Sequence, residues 1–435
     1  MTTVCARRAQ EVRGGWGRAW KLAAAALIAG ALAFGGVSFY GRTTGKGTDY
    51  NVFLMSGRLA VEDPRQLYDV HAGRGPTYTF INPPLVAILM KPLSALPLGA
   101  SALVWFLVNA ACTAHAALIL ARLLAPPGTE TALLLLTLVL ALPYVVENIQ
   151  LGQMHAVILY LMVRSFAALR ADRPVAGAAW MAVATALKLL PGVFAFYFLA
   201  RRQWRALAAF ALTLALATAV PPAVALGPHM AAALLTRFYH QQVAPYVFGE
   251  WVHHPIYAKT VLRKTRHDQD LGALIMRHFT ADHVAPGYEV LVVADLPLVA
   301  VRRAMFGCFL ALLAISVLVA RPRPEDVVAD AGRTGLLFSV FVVLSLLLSP
   351  RNRVAYWPVL MIPWATLLAR IMDAGRPSRV RRIAAITLSI SAALCALVAV
   401  PMGRALTAGL WAQAALWAGL LVLHRAERRS PPARP

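Results

Sequence analysis

Asp49 stands a few residues beyond an apolar segment, in GTDYNVFLMSGR at 47–58. A carboxylate held just outside lipid can take the proton of an attacking hydroxyl during a nucleophilic displacement. The same position suits an ordinary interfacial acid or a helix N-cap. Two polar interruptions of apolar sequence offer it partners. ENIQLGQMH at 147–155 carries Glu147, Gln150 and Gln153, whose acid and amide groups match the paired donors and acceptors of sugar hydroxyls, or satisfy the ends of broken helices. LKLLPG at 187–192 carries Lys188, a cation facing a polar cavity or snorkelling to an interface. His253, His254, His267 and Asp268 raise the question of a metal, but their spacing matches no closed zinc pattern, and no metal cofactor is expected. Trp251, Tyr257 and Trp357 suit either stacking on a sugar face or an interfacial aromatic belt.

The elements that must position these groups follow from composition. With 59% hydrophobic and 14% charged residues, and a mean hydropathy of +0.63, the chain reads as an all-α, polytopic integral membrane protein. Apolar runs fall near 22–40, 99–123, 131–145, 154–169, 175–187, 190–200, 206–226, 298–320, 334–349, 355–370, 383–401 and 405–424, an expectation of about twelve spans. The first run follows five basic residues as a signal peptide would, but its length and the later spans favour a retained helix. A cytoplasmic N-terminus puts basic residues at every inner turn, from Arg122, through Arg170 and Arg173, to Arg425 and Arg428, and returns the C-terminus to the cytoplasm. The net charge of +23 is thus read as the positive-inside rule in a plasma (inner) membrane protein, and no nucleic acid partner is expected. Lys188, Arg302, Arg303, Arg351, Arg353 and Arg404 then lie outward and need another reason.

Several spans are too short to cross alone. Residues 175–187 make about 20 Å of helix, so 175–200 reads as two short helices meeting at LKLLPG, broken by Pro191. ENIQLGQMH reads as a similar break, and the two polar vertices should meet near the outer face. Two long outer segments remain, 41–98 and 227–297, the first with a juxtamembrane helix within 83–96 and the second with short helices over the cavity. No internal repeat appears, and 1–435 is expected to form a single domain. Cys5, Cys112, Cys308 and Cys395 define no disulfide framework.

In order along the chain, TDYNVFLMSGR at 48–58, QLYD at 66–69, FINPPLVAILMKPLSALP at 80–97, QLGQMHAVILYLMVRSF at 150–166 and PVAGAAWMAVATALKLLPGVFAFYFLARRQWRAL at 174–207 resemble the polyprenyl-phosphate-mannose-dependent membrane transferases of glycosyltransferase family 87, in the GT-C fold class. HDQDLGALIMRHF at 267–279 resembles the family's Asn-Gln-Ser-Leu segment and following Arg, altered here to Asp268-Gln269-Asp270-Leu271 and Arg277. LLSPRNRVAYWPVLMIP at 347–363 resembles the Ser-Pro segment but departs from it: many relatives continue with Ser-Trp and then His, where this chain has Arg351, Asn352, Arg353, Val354, Ala355 and Tyr356.

The resemblance implies a GT-C-type bundle and an inverting transfer, at the extracytoplasmic face, of a hexose, mannose by analogy, from a polyprenyl-phosphate donor to a lipid-linked or surface-glycan acceptor. Membrane lipid, that donor and a glycan or glycolipid acceptor are the implied partners. Asp49 takes the general-base position and Lys188 the donor phosphate. Either Arg351 or Arg353 supplies a further phosphate contact, or the donor or acceptor differs from the family's usual one. Glu147, Gln150, Gln153, His254, Gln269 and Tyr356 are the candidates for sugar or acceptor contact. A carrier or flippase for a lipid-linked sugar is the alternative from another class, and it should show matched helix breaks in both halves. The breaks at 146–153 and 187–192 have no evident counterpart in the C-terminal half.

Overall fold

The computed structural model describes residues 2–45, 47–69, 80–244, 268–280, 292–322 and 331–429, with N-terminal side chains from Arg18 onward. The described chain is helical, its one extended pairing being an isolated antiparallel bridge between Asp268 and Arg353. Its helices are α1 (Thr2–Thr44), α2 (Asp49–Glu62), α3 (Pro84–Ser94), α4 (Leu98–Leu124), α5 (Glu130–Leu151), α6 (His155–Arg170), α7 (Pro174–Leu187), α8 (Phe194–Ala200), α9 (Trp204–Leu226), α10 (Pro228–Phe238), α11 (Leu271–Phe279), α12 (Leu298–Ala320), α13 (Ala331–Leu347), α14 (Met361–Met372), α15 (Ser378–Leu397), α16 (Pro401–Ala405) and α17 (Ala408–Arg429). A 3-10 turn, Val354–Leu360, leads into α14.

Among the described residues seven helical stretches are long and apolar enough to cross a membrane, against the expected twelve: Arg18–Thr44, Leu98–Leu124, Glu130–Leu151, Trp204–Leu226, Val299–Ala320, Val354–Met372 and Ser378–Leu397. This is a multi-pass helical membrane protein, but the count of twelve does not stand by this measure. The shortfall has a physical cause. Pro174–Leu187 and Leu190–Ala200 are apolar but short, because Lys188 is extended (φ −154°, ψ 126°) and Pro191 can donate no helical hydrogen bond. The expected two-piece 175–200 segment is what the structure shows.

Burial orders the bundle. The crossing window within Val354–Met372 is 89% buried and that within Arg18–Thr44 only 11%, so α14 lies in the centre and α1 at the periphery. α13 lies beside α14, its Leu336, Phe338, Val340, Phe341 and Leu344 wholly enclosed. Phe338 meets Phe166 and Phe194 at centroid separations of 5.0 and 4.7 Å, which joins α6 and α8 to this centre. Outside it, Leu22, Leu27, Phe34 and Val37 of α1 and Leu212, Leu216 and Val224 of α9 are exposed apolar side chains, as lipid-facing surfaces require. One hydrophobic core runs from Phe39 to Leu423.

The segment 41–98 is more ordered than a loop reading implies. The expected juxtamembrane helix is α3, with Pro84 at its first position, where a missing N–H costs nothing. α2 was not expected. It packs along α3 so closely that a Cβ on Gly57 would lie 2.7 Å from the Met90 carbonyl oxygen. Within 227–297, α10 and α11 are the described short helices.

Candidate active site

The turn from α1 into α2 fixes Asp49. Thr48 is the N-cap of α2 in a capping box: its backbone N–H donates to Asn51 Oδ1 at 2.6 Å, and Asn51 Nδ2 reaches back to the Thr43 carbonyl at 3.1 Å. Asp49 is therefore not the cap. It occupies the first helical turn, where the amide dipoles favour a negative charge. Gln153 Nε2 donates to Asp49 Oδ2, and among the described residues no side chain occupies Oδ1.

That contact depends on the break between α5 and α6. Gly152 ends α5 in the left-handed region (φ +64°), and a Cβ there would stand 2.5 Å from the Tyr50 Cβ and 2.7 Å from the Phe39 ring. Only glycine allows both the turn and the close approach of α1 and α2. The Gly152 carbonyl accepts from Trp105 Nε1 at 3.0 Å, and Trp105 stacks on Tyr50 at 5.6 Å. Asn148 closes the vertex, its side chain accepting from the His155 backbone N–H at 3.1 Å and donating to Asn109 at 3.1 Å.

The second vertex delivers Lys188, which stands outside both α7 and the turn that follows. Its Nζ lies 3.7 Å from the centroid of the Tyr356 ring, in cation–π contact. His155 stacks on the same ring at 4.0 Å and 21°. Two groups this near one centroid take opposite faces, so Tyr356 is held between imidazole and ammonium. His155 is fully buried, and neither ring nitrogen has a hydrogen-bond partner. Burial pulls Lys188 below the ordinary lysine pKa; Tyr356 and Asp49 oppose the shift and Arg351 adds to it. The two polar vertices thus meet across Tyr356 and Asp49, as expected.

A third vertex, 348–353, joins them from the C-terminal half, where no break was expected. It is bound to the 268–270 strap. The Gln269 N–H donates to the Asn352 carbonyl at 2.6 Å, and the Asp270 side chain caps α11 through the Ala273 N–H at 2.8 Å. Asp268, wholly buried, takes a hydrogen bond from Arg353 Nε at 3.1 Å, with Arg351 Nε at 3.5 Å. Arg351 Nε makes no hydrogen bond, so Asp268 is committed to Arg353 and Arg351 is the less engaged of the pair. Burial alone would lower the Arg353 pKa, but Asp268 and then Tyr356 outweigh it and the net shift is upward. The Tyr356 hydroxyl lies in the fields of Lys188, Arg351, Arg353 and Asp49.

The structure thus gathers Asp49, Gln153, Lys188, Tyr356, Arg351 and Arg353. Asp49, Lys188, Arg351 and Arg353 are all half-buried, each presenting part of its surface. Glu147 is half-buried in the last turn of α5, and Gln150 is buried beside it. Gln269 is engaged elsewhere. Its amide donates to the Arg404 carbonyl at 3.2 Å and accepts from the Gly409 N–H at 3.2 Å, tying the strap to α16 and α17. His254 lies outside the described residues, as do His253, His267, Trp251 and Tyr257. Arg302 and Arg303 stand near the start of α12, Arg303 exposed. Among the described residues no three His, Cys, Asp or Glu side chains gather. His155 and Asp268 are the members that the sequence reading left out of the site. His155 was visible as the polar residue closing ENIQLGQMH, while Asp268 shows its place only once 268 pairs with 353.

Fold and site together define a multi-pass helical membrane protein with an acid, an amide and three cations converging at one end of the bundle. Glycosyltransferase family 87 matches residues 80–339, well over half of the 435-residue chain, and the chain belongs to that family: it is a glycosyltransferase. The match spans Gln153 and Lys188, whereas Asp49 and the stretch from Arg351 to Tyr356 fall outside it and are joined to it by the contacts above. No curated protein and no solved structure matches the chain.

Proposed function

We propose that the protein transfers a hexose, mannose by family resemblance, with inversion from a polyprenyl-phosphate donor to a lipid-linked or surface-glycan acceptor at the extracytoplasmic face of the plasma membrane. The observation that carries this reading is the pairing of one oriented carboxylate with opposed cations. Gln153 holds Asp49 by one oxygen, and Lys188, Arg351 and Arg353 converge on Tyr356 beside it.

In this reading Asp49 takes the proton of the acceptor hydroxyl as its oxygen attacks the anomeric carbon. The bond from that carbon to the phosphate oxygen breaks, and its electron pair leaves with polyprenyl phosphate. Lys188 and Arg351 meet the charge that develops on the phosphate, in a site that excludes much water and strengthens each contact. Arg351 suits this role better than Arg353, which is engaged with Asp268. Glu147, Gln150 and Gln153 offer acid and amide groups to sugar hydroxyls from the α5 end, and the Tyr356 hydroxyl offers another. Gln269 acts as a positioning residue.

The test is incubation of the purified protein with labelled polyprenyl-phosphate mannose and a panel of lipid acceptors. Asp49→Asn keeps the Gln153 contact yet removes the base, and transfer should fall by about 100-fold or more with donor binding retained. Undiminished transfer by that variant would overturn the assignment of Asp49.

A further inference from the structure

His155 takes no step in the transfer reaction, yet it touches the ring that holds Lys188. It is the first residue of α6 and has no exposed surface. Its backbone N–H donates to Asn148 Oδ1 at 3.1 Å, which pins the start of α6 to the last turn of α5. Among the described residues neither ring nitrogen has a hydrogen-bond partner. What the imidazole gives the structure is therefore its face, which lies on the Tyr356 ring at 4.0 Å and 21°.

That contact acts on Lys188. The Lys188 Nζ stands over the other face of the same ring, 3.7 Å from its centroid. A tyrosine side chain changes rotamer only where the space beside it allows, and an imidazole at 4.0 Å closes the side away from the ammonium. Without that backing the ring is free to turn, and Lys188 loses its seat. Gln153, which holds Asp49, stands two positions before His155 in the same break between α5 and α6. Two residues of chain reach at most about 7 Å, so one short vertex holds both the base and, through Tyr356, the cation. We propose that His155 is a positioning residue, a flat backing for Tyr356 that aims Lys188, and that this vertex thereby sets the spacing of base and phosphate contact. Its bearing on transfer rests on the reading of Lys188 as the phosphate contact; its hold on Lys188 does not.

A structural reading competes: a core residue at the start of α6, whose loss would loosen the helix without singling out Lys188. Two readouts on the full-length protein in detergent separate them. The first is the rate at which an amine-reactive ester acetylates Lys188, followed by mass spectrometry of the peptide that carries it. His155→Leu should raise that rate about fivefold as the ammonium leaves the ring, and His155→Phe, which keeps an aromatic face, should hold it within about twofold of wild type. Lys91, half-buried on α3, should react alike in all three proteins. The second readout is KM for polyprenyl-phosphate mannose. His155→Leu should raise it about tenfold in the wild-type background but less than about twofold where Lys188 is already methionine, because the effect runs through Lys188. Lys188 labelling unmoved by His155→Leu, or raised equally at Lys91, would overturn the proposal whatever the transfer activity. An equal rise in KM in both backgrounds would overturn it too, as would His155→Phe matching His155→Leu. Faster Lys188 labelling with an unmoved donor KM would uphold the positioning of Lys188 and remove Lys188 from the phosphate site.

Discussion

At the scale of single residues, Tyr356 is the pivot of the site. Its ring carries Lys188 on one face and His155 on the other, so the ammonium is aimed by packing and not by an ion pair. A cation–π contact away from water contributes about 2 kcal/mol. Tyr356→Phe keeps the ring that holds Lys188 and should lose only the hydroxyl's contact with sugar, whereas Tyr356→Leu should release Lys188 and lose more donor use. Lys188→Met removes the charge at similar length, and kcat/KM for the polyprenyl-phosphate donor should fall by about 100-fold with the fold intact. Donor titrations on the three variants check this, and a Lys188→Met enzyme with unchanged donor dependence would take Lys188 out of the phosphate site. Asp49 and Lys188 were legible from the sequence because each is a charged residue standing against apolar surroundings. Tyr356 was a candidate only through the resemblance of the Ser-Pro segment; its place between His155 and Lys188 depends on two partners 201 and 168 positions away along the chain.

Among elements, the breaks matter more than the spans. The polar run ENIQLGQMH and proline at 191 beside Lys188 announced two vertices by local chemistry alone, and both appear in the structure, the first turning at Gly152. α2 and the third vertex were not announced. α2 mixes polar and apolar residues and gains its order by packing on α3, while the third vertex needs the 268–270 strap, a partner more than 80 residues distant. Gly152→Ala tests the first vertex: a left-handed alanine pressed against Tyr50 should cost about 2 kcal/mol or more. Its melting temperature in detergent should drop, and transfer should drop with it as Gln153 leaves Asp49. The strap makes a sharper case. Asp268→Asn leaves two arginines without their carboxylate and should lower both melting temperature and donor use. Adding Arg353→Gln removes the stranded charge, so melting temperature should recover more than donor use. A double-mutant cycle in which both recover together would mean that the arginines serve the fold alone.

For the whole molecule, the question is which way the bundle faces. The two ends differ in kind. The Asp49 end has its charges in opposed pairs around half-buried groups, whereas the other end carries unbroken basic clusters such as Arg201, Arg202 and Arg205, or Arg379, Arg381 and Arg382. Arginine clusters at short turns stay on the cytoplasmic side during insertion, so the clustered end should face inward. Lys188, held on the Tyr356 ring, and Arg353, held by Asp268, would escape that rule if this end faces outward, because each charge already has a partner. Single cysteines in a cysteine-free background settle the orientation. Arg65→Cys, at an exposed position beyond α2, should react with a membrane-impermeant maleimide in intact cells. Arg379→Cys, exposed at the start of α15, should react only after the membrane is opened. The reverse pattern would place Asp49 in the cytoplasm, where an acceptor at the outer surface could not reach it.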